Sequence, residues 1–508
     1  MNQPLNPTDE QAAVLDAVAT GEPVVVEALA GTGKTSTLLM VADQLGGQRA
    51  LLTAYNRSII DDVKAKLPRH VKAMTNHGLA YRSHGYAYKN AGKLGVKLTP
   101  RVLTDAFGWT DHTFGRLNAH GGAAAVIGTV NRYCSSDDDF LMQRHVVLPK
   151  SLDRLGEDER QGITATVHAM ARQTWQSMQD VNDRLPATHD TYLKRFCIER
   201  TPVDTGVLLV DEAQDTTPAM LAWLVHQQRR AQVVIVGDSQ QAIYGWRGAV
   251  NALANFPADQ RAALTQSFRF GDGIAMLANR VLDQTLISPF RLRGLSGKNS
   301  RLGYAKQPRA ILSRTNMGVL GHLLSLATYD ATARPTVVGG TAELAHLLRG
   351  CEQLMQTGQS SHPDLMGFVG FDDLVAYSET EAGHEYRTLV KVMTQYPVQA
   401  LTLILDRAGS ITEEQATVTL STAHRAKGRQ WSTVALDNDF PMPKPEPSLT
   451  SRDGYDVIDL PEEEGNLMYV AMTRAQDLLD IMDCEAAQTY RRYTQRGFAE
   501  EQTVTAAA

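Results

Sequence analysis

The sequence contains few cysteines, no long apolar run and little net charge. Its four cysteines lie far apart and form no C-x-x-C pair, so the sequence does not indicate a zinc site, an iron–sulfur cluster or a disulfide framework; they are Cys134, Cys197, Cys351 and Cys484. No apolar run reaches the roughly 18 residues of a membrane helix, and no basic start precedes an apolar segment at the N-terminus. We therefore expect a cytoplasmic protein, or a nuclear one in a eukaryote, with no membrane contact.

The net charge of −6 at pH 7 provides no global positive field, so any nucleic-acid site must be local. In other respects the composition is that of an ordinary globular protein, with 43% hydrophobic and 21% charged residues. A chain of 508 residues is too long for a single hydrophobic core. We expect about two to four domains.

A β-branched run at residues 24–26 leads into a glycine-containing loop and then into a segment typical of a helix. This pattern predicts a phosphate-binding loop, in which backbone N–H groups at a helix N-terminus face an anion. The residues assigned to it are Ala28, Gly31, Thr32, Gly33, Lys34 and Thr35. Lys34 is expected to reach the β- and γ-phosphates, and the Thr35 hydroxyl to bind Mg²⁺. Ala28 replaces the usual first glycine, and a plain glycine-rich turn after a buried strand is the alternative.

A second apolar run, at residues 207–210, ends in the adjacent acids Asp211 and Glu212. Ligands bind beyond the carboxyl ends of the strands in open α/β sheets, so these acids are expected beside the phosphate loop. Asp211 is predicted to bind Mg²⁺, and Glu212 to orient and deprotonate the attacking water. The alternative is that the two acids cap the next helix. Upstream, Gln11 is either a solvated residue in the first turn of a helix or an amide that pairs with the adenine edge.

Residues 63–104 contain no Asp or Glu. This basic tract carries cationic and aromatic side chains, namely Lys64, Lys66, Arg69, Lys72, His77, Tyr81, Arg82, Tyr86, Tyr88, Lys89, Lys93, Lys97 and Arg101. Cations that neutralise phosphates, beside rings that stack on bases, are typical of a surface that binds a single strand. A solvated basic face is the alternative.

Six sequence blocks follow one another along nearly the whole chain. They are the phosphate loop, residues 211–215 (DEAQD), 237–249 (GDSQQAIYGWRGA), 264–269 (LTQSFR), 422–428 (TAHRAKG) and 469–475 (YVAMTRA). In this order they resemble the UvrD/Rep-type superfamily 1 DNA helicases, and residues 267–271 and 422–428 are most similar to the helicase core of the F-box DNA helicases. No F-box is evident, since the chain begins almost at the expected adenine-binding helix.

The resemblance implies an α/β fold with two RecA-like parallel-sheet domains of the P-loop NTPase type. These form an ATP cleft, and each carries an inserted, mainly helical subdomain. The expected divisions are residues 1–85 and 204–258 for the first RecA-like domain, 86–203 for its helical insertion, 259–340 and 415–495 for the second RecA-like domain, 341–414 for a small second insertion, and 496–508 for a C-terminal tail. We expect no room for a nuclease domain after the last block.

The resemblance also implies how the base and sugar of ATP are bound. Gln11 matches the glutamine that reads adenine, and Phe268 stands where the family usually has a tyrosine that stacks on the base. Gln430 replaces the glutamate that is common in the fifth block. Its amide keeps a hydrogen-bonding group but loses the charge, so a contact with the nucleotide sugar there is an open expectation.

Three further residues match positions that act on the γ-phosphate. Gln241 matches the glutamine that senses this group, and Arg269 and Arg474 match two arginines that reach it from the second domain. Arginines that stabilise charge on the transferred phosphoryl group contribute ~10³–10⁵ in rate. With Lys34 and Glu212, these residues form the predicted catalytic set.

The predicted DNA contacts also follow from the resemblance. They are Tyr55, Asn56, His77, Tyr244, Trp246, Arg247, Thr422 and His424. Trp246 matches an aromatic residue that stacks on a base, and Tyr55 sits where a related ring precedes Asn56; stacking contributes ~1–3 kcal/mol per base and is independent of sequence. His77, Thr422 and His424 match contacts to the phosphate backbone. Core positions for the two rings and structural roles for the histidines are the alternatives.

The function implied is that of an ATP- and Mg²⁺-dependent DNA helicase or translocase. It is expected to move 3′ to 5′ on single-stranded DNA in repair, recombination or replication, to bind single strands and DNA junctions, and to be a monomer or weakly self-associating. One alternative is a translocase that strips recombinase or other proteins from DNA, and another is an ATPase subunit of a recombination or defence complex without productive unwinding. A P-loop phosphotransferase would explain Lys34 and Asp211 but not Arg269, Arg474 or Trp246.

Overall fold

The computed structural model describes residues 6–491, apart from positions 56, 110–111, 116, 150–151, 153–155, 246–247, 285–288, 331, 363, 367, 380–385 and 451–455. By its internal contacts the chain forms two compact units of similar size. The first unit ends at Leu264 and the second begins at Thr265, while the short segment Leu29–Gly33 groups with the second unit.

The first unit is built on a six-stranded sheet. Its strands are β1 (Val24–Ala28), β2 (Ala50–Ala54), β3 (Val71–Thr75), β4 (Val207–Val210), β5 (Gln232–Gly237) and β6 (Gln260–Leu264). Their order is β3-β2-β4-β5-β1-β6, and every neighbouring pair is parallel. Strands β2 and β4 are buried along their whole length, as expected for a parallel sheet covered on both faces. The carboxyl ends of all six strands therefore lie at one edge, where ligands bind in such sheets.

The second unit contains a second parallel sheet of six strands. Its elements are β7 (Arg301–Leu302), β8 (Ala310–Ser313), β9 (Pro335–Val337), β10 (Val418–Thr422), β11 (Trp431–Leu436), β12 (Lys444–Thr450), β13 (Asp456–Asp459) and β14 (Ala475–Asp480). The sheet order is β7-β14-β11-β8-β10-β9, and β12 and β13 form a separate antiparallel pair. Two parallel sheets covered by helices confirm the predicted α/β class with two RecA-like sheets.

Helices cover the first sheet and also fill a long connection between β3 and β4. They are α1 (Asp9–Ala19), α2 (Lys34–Gln44), α3 (Arg57–Lys64), α4 (Asn76–Ala80), α5 (Tyr86–Asn90), α6 (Pro100–Phe107), α7 (Ala119–Ser135), α8 (Glu157–Gln179), α9 (His189–Ile198), α10 (Pro218–Gln227) and α11 (Ala252–Asn255), with a π-helical turn at Tyr81–Gly85. Helices α6 to α8 share a core of their own, which includes Phe114, Tyr133 and Trp175.

The second sheet is covered in the same way. Its helices are α12 (Asp272–Gln284), α13 (Asn316–Tyr329), α14 (Ala342–Thr357), α15 (Phe371–Ser378), α16 (Arg387–Gln395), α17 (Val398–Gly409), α18 (Ala423–Ala426) and α19 (Glu462–Met472). Helices α14 to α17 lie between β9 and β10 and pack through leucines such as Leu348, Leu354 and Leu401. Across the part of the chain that the structure describes, no helix is both long enough and apolar enough to cross a membrane.

Strand β6 belongs to the first sheet, although the sequence divisions place it in the second domain. The sequence divisions assign residues 259–340 to the second domain, but Gln260–Leu264 pairs with the whole of β1 in the first sheet. Because β6 pairs with β1, the first unit ends at Leu264. The short segment QRAAL has a weak strand pattern, which explains why the sequence blocks alone misplace it. The remaining divisions stay predictions.

The basic tract is not one continuous surface. Tyr88 is fully buried, and its hydroxyl donates to the Gln179 carbonyl at the end of α8. Lys93 is 3% exposed, and its Nζ donates to the carbonyls of Ser177 (2.7 Å) and Asp180 (2.5 Å). Burial lowers the pKa of Lys93. These two residues tie α5 to the end of α8 and are not available for DNA, so the platform predicted from the sequence was wrong at both positions.

Replacing Lys93 by Met is expected to destabilise the first unit by about 2 kcal/mol, because two buried carbonyls lose their donor. The midpoint of urea unfolding, followed by circular dichroism, measures this loss. Lys97→Met is the matched control, since Lys97 lies four residues further on and is exposed. Equal midpoints for the two variants would show that the Lys93 contacts contribute nothing to stability.

Candidate functional site

Gln11 is held in place at the first turn of α1. Thr8, the N-cap residue, accepts the Gln11 N–H on its hydroxyl, and the Gln11 Oε1 accepts the Thr8 N–H at 3.0 Å, which completes a capping box. The Gln11 Nε2 donates to the hydroxyl of Thr37 in α2 at 3.2 Å. Because Gln11 is only 5% exposed, the alternative of a solvated first-turn residue was wrong. Its contact with adenine stays a prediction.

The loop between β1 and α2 has the backbone that a phosphate loop requires. Gly31 and Gly33 have φ values of +75° and +81°, in the left-handed region that favours glycine. The Thr32 hydroxyl donates to a carbonyl earlier in the loop at 2.8 Å. Helix α2 begins at Lys34, so its first N–H groups have no acceptor within the helix and are suited to an anion. Ala28, the residue in place of the usual glycine, is fully buried at the end of β1.

Lys34 and Glu212 face each other within the first unit. The Lys34 Nζ lies 4.0 Å from a carboxylate oxygen of Glu212 and 3.4 Å from the Ala28 carbonyl oxygen. Glu212 has φ +53°, and among the described residues only Arg200 is another non-glycine residue with positive φ. This backbone costs on the order of 1 kcal/mol and persists where the surroundings enforce it, which is typical of functional sites.

The segment after β5 carries Gln241. Its fully buried N-cap, Asp238, precedes the 3₁₀ turn Ser239–Gln241 and accepts a hydrogen bond from the Gln241 side-chain amide at 2.5 Å. The Asp238 N–H donates to the Gln214 Oε1 at 3.0 Å, and the Gln214 amide donates to Glu212. Gln214 therefore links the strained acid to the turn that carries Gln241, so these predicted residues belong to one connected network.

Thr35 and Asp211, the residues predicted to bind Mg²⁺, both carry side-chain oxygens that could hold this ion. Asp211 directly follows β4, is 3% exposed, and accepts the Glu212 N–H on Oδ1 at 2.9 Å. Thr35 is the second residue of α2. A carboxylate and a hydroxyl are the hard oxygen ligands that Mg²⁺ prefers, and this ion commonly takes one or two protein ligands while phosphates and water complete its shell.

In the second unit, Arg269, Gln430 and Arg474 lie close together. Arg269 donates from Nε to the Gln430 Oε1 (2.9 Å) and from Nη1 to the Thr473 carbonyl (2.8 Å). Arg474 donates from Nη2 to the Thr473 hydroxyl and from Nε to the Val470 carbonyl, both at 2.8 Å. Arg474 is 1% exposed. Two arginines drawn from distant blocks therefore meet at one residue, Thr473, beside the predicted nucleotide-contacting glutamine.

The first half of the phosphate loop, Leu29–Gly33, makes two hydrogen bonds within the second unit. The Phe268 N–H donates to the Gly31 carbonyl at 2.8 Å, and the Ala30 N–H donates to the hydroxyl of buried Tyr469 at 3.0 Å. Phe268 itself is 44% exposed. Its ring is accessible, as the prediction that it stacks on a base requires, but that contact remains a prediction.

Tyr55 and His77, two predicted DNA contacts, are neighbours in the first unit. Their rings meet edge to face with centroids 6.1 Å apart. Tyr55 is 38% exposed, which overturns the alternative of a plain core residue. The His77 Nε2 lies 2.8 Å from an Asp190 carboxylate oxygen in α9, so this histidine also joins α4 to the helical connection. Tyr244 is half-buried. Three other predicted contacts lie outside the described residues: Asn56, Trp246 and Arg247.

Thr422 and His424 lie at the carboxyl end of β10. The Thr422 hydroxyl accepts the Arg425 N–H at 3.4 Å and caps the short helix α18, which contains His424. Thr422 is 7% exposed and His424 is half-buried. Arg425 also pairs with Glu343 at the start of α14. These contacts fix the loop locally, and the proposed phosphate contacts of both residues stay predictions.

Sequence reasoning missed Glu27 and gave Gln214 no role. Glu27 is a charged residue inside the apolar run of β1, and this anomaly is the signal that would have marked it. A Cβ on Gly237 would lie only 2.2 Å from the Gln214 Oε1, so glycine is required where Gln214 crosses the end of β5. The sequence box that contains Gln214 shows the residue but not this contact.

Comparisons with known proteins agree with this arrangement. Residues 10–247 match a family described as an AAA domain, and residues 370–486 match the UvrD-like helicase C-terminal domain. F-box DNA helicase protein 1 of Schizosaccharomyces pombe is 28% identical over 94% of this chain and 57% of its own length. F-box DNA helicase 1 of Gallus gallus is 28% identical over 93% of this chain and 48% of its own length.

A bacterial DNA helicase matches a shorter part of the chain. DNA helicase II of Escherichia coli is 38% identical over 82 residues, which are 15% of this chain and 11% of that protein. The chain thus spans about half the length of the F-box helicases that it matches almost from end to end. The first family match covers β1 to β5 of the first sheet, and the second covers β10, β11 and β14 of the second sheet.

Proposed function

Because the chain belongs to the UvrD-like superfamily 1 helicases, we propose that it is an ATP- and Mg²⁺-dependent DNA helicase or translocase that moves 3′ to 5′ on single-stranded DNA. Its substrates are single strands and DNA junctions, and its role lies in repair, recombination or replication. The protein is a monomer or self-associates weakly, and acts in the cytoplasm, or in the nucleus of a eukaryotic cell.

The observation that carries this proposal is the pairing of Lys34 with the strained Glu212 at the carboxyl edge of the first sheet. Phosphoryl transfer needs little covalent chemistry from the protein, so catalysis depends on placing cations around the phosphates and on orienting the attacking water. Lys34 supplies the cation and Glu212 the base, while Gln214 connects this pair to the turn that carries Gln241.

Each step of hydrolysis has a residue suited to it. Thr35 and Asp211 would hold Mg²⁺, which neutralises charge on the phosphate oxygens when bound. Glu212 accepts the proton of the attacking water, Lys34 binds phosphate oxygens, and Gln241 orients groups at the γ-phosphate. On the DNA side, the exposed ring of Tyr55 offers a stacking surface.

A strand-displacement assay tests the direction of movement. Duplexes with a 3′ single-stranded tail are expected to be unwound when ATP and Mg²⁺ are present, and duplexes with a 5′ tail to stay intact. An RNA-tailed duplex controls for the nucleic-acid preference. Unwinding from the 5′ tail alone would refute the proposed polarity, and ATP hydrolysis that single-stranded DNA does not stimulate would refute the helicase assignment in favour of a phosphotransferase.

A translocase that strips proteins would behave differently in the same assay. It would hydrolyse ATP when single-stranded DNA is added, and displace a bound protein, without separating the strands. An ATPase subunit that needs a larger complex would also hydrolyse ATP when single-stranded DNA is added. It would neither separate the strands nor displace the bound protein.

A further inference from the structure

Glu27 is a half-buried carboxylate on β1 of the first sheet. It lies on β1 between β5 and β6, where its Cα partners are Gly237 and Ala263. Its neighbours along the strand, Val26 and Ala28, are fully buried. An ionised carboxylate in such surroundings is costly unless hydrogen bonds compensate for the lost water, so the contacts of this side chain indicate what it stabilises.

Both carboxylate oxygens of Glu27 accept hydrogen bonds from Ser239. The Ser239 N–H donates to Oε1 and the Ser239 hydroxyl donates to Oε2, each at 2.7 Å. Ser239 begins the 3₁₀ turn that ends at Gln241, and Asp238 binds the amide at the other end of that turn. Glu27 therefore anchors the start of the turn, and Asp238 anchors its end.

The charges around Glu27 make its protonation sensitive to pH near neutrality. Burial, and then repulsion from Asp238, raise the pKa of Glu27 to about 7, while the two hydrogen bonds from Ser239 and the charge of Lys34 oppose the rise. Burial also raises the pKa of Asp238, which Lys34 opposes and Glu212 reinforces. Lys34 therefore lies near three carboxylates, those of Glu27, Glu212 and Asp238, and Glu27 gains a proton as the pH falls through about 7.

We propose that Glu27 is a positioning residue for ATP hydrolysis, which acts through Ser239 to hold the turn that carries Gln241. The inference rests on the proposed function, because it requires Gln241 to act at the γ-phosphate. Ionised Glu27 accepts both hydrogens of Ser239. Protonated Glu27 is neutral: its O–H donates to the Ser239 hydroxyl and its other oxygen accepts the Ser239 N–H, so the turn is held by weaker hydrogen bonds that have lost their charge assistance.

Steady-state ATPase measurements on Glu27→Gln, Ser239→Ala and the double variant test this role. With saturating single-stranded DNA at about pH 8, Glu27→Gln is expected to lower kcat about tenfold with little change in KM, because it removes a charge-assisted hydrogen bond that supports a transition-state contact. The double variant should be no slower than Glu27→Gln alone, since both changes break one linkage. Losses that multiply in the double variant would show that Glu27 does not act through Ser239.

The pH profile separates positioning from a general structural role. Because kcat/KM reports groups of the free enzyme, the wild-type value should fall about fivefold between about pH 8 and pH 6 as Glu27 is protonated to a neutral form with about one tenth of the rate. Glu27→Gln should lack this step, whereas the exposed-acid control Glu22→Gln should keep it. An unaltered rate and profile in Glu27→Gln would refute the role of Glu27 while leaving the proposed function intact.

Failure of the proposed function is distinguishable, because it would appear as wild-type protein without DNA-stimulated ATPase. If Glu27→Gln does not fold, as judged by circular dichroism, the Ser239→Ala variant alone tests whether Glu27 positions the turn. It removes one of the two hydrogen bonds to Glu27, so it should lower kcat and alter the step in the pH profile. A wild-type rate and profile in Ser239→Ala would then overturn the inference.

Discussion

Replacing Glu212 by Gln is expected to lower DNA-stimulated ATP hydrolysis by roughly 10³-fold, because an amide cannot accept the proton of the attacking water. The substitution keeps the size of the side chain, and the amide oxygen can still accept the hydrogen bond from Gln214. The expected loss therefore reflects chemistry and not a collapsed site. The measurement is kcat for ATP hydrolysis with saturating single-stranded DNA, together with the affinity for a fluorescent ATP analogue, which should change little.

Glu199→Gln is the matched control for this prediction. Glu199 belongs to the same unit and is also paired with cationic groups, His84 and Arg195, but none of its contacts involves a predicted site residue. Its replacement should leave kcat within about twofold of the wild type, since surface ion pairs contribute little. If Glu212→Gln retained turnover close to that of Glu199→Gln, then Glu212 would not be the base and the assignment of the site would be wrong.

The parts of the fold that depend on local pattern are predictable from the sequence. Runs of β-branched and leucine residues predict β1, β2, β4 and β5, because parallel strands that are buried on both faces are nearly continuous apolar runs. The capped start of α1 follows from Thr8 and the amide three residues later. Strand β6 fails the same criterion, because its five residues include Gln260 and Arg261 and it pairs on one side only.

The parts that depend on distant partners are not predictable in this way. Lys93 looks like a surface cation in the basic tract, but its two acceptors are 84 and 87 residues further along the chain. Glu27 meets Ser239 across 212 residues. No periodicity of the local sequence encodes such contacts. The resemblance identified residue types at the site, whereas the left-handed backbone of Glu212 is a property of the folded chain alone.

Replacing Arg269 by Lys is expected to lower kcat for ATP hydrolysis by about 10³-fold if this residue contacts the γ-phosphate as predicted. Lysine keeps the positive charge but has no planar fork, so it cannot bind Gln430 and the Thr473 carbonyl together in the way that Arg269 does. Its ammonium would be poorly oriented when charge develops on the transferred group. The KM for ATP should change much less than kcat, since the interaction is made mainly in the transition state.

Arg309→Lys is the matched control, because Arg309 is an exposed arginine of the second unit that donates to backbone carbonyls outside the site. It should leave kcat unchanged within about twofold. Arg474→Lys provides a useful contrast: Arg474 is 1% exposed, so this change should reduce both kcat and the midpoint of urea unfolding, whereas Arg269→Lys should reduce kcat alone. A wild-type kcat for Arg269→Lys would remove this arginine from the catalytic set, and a parallel loss of stability would point to a structural role at Thr473.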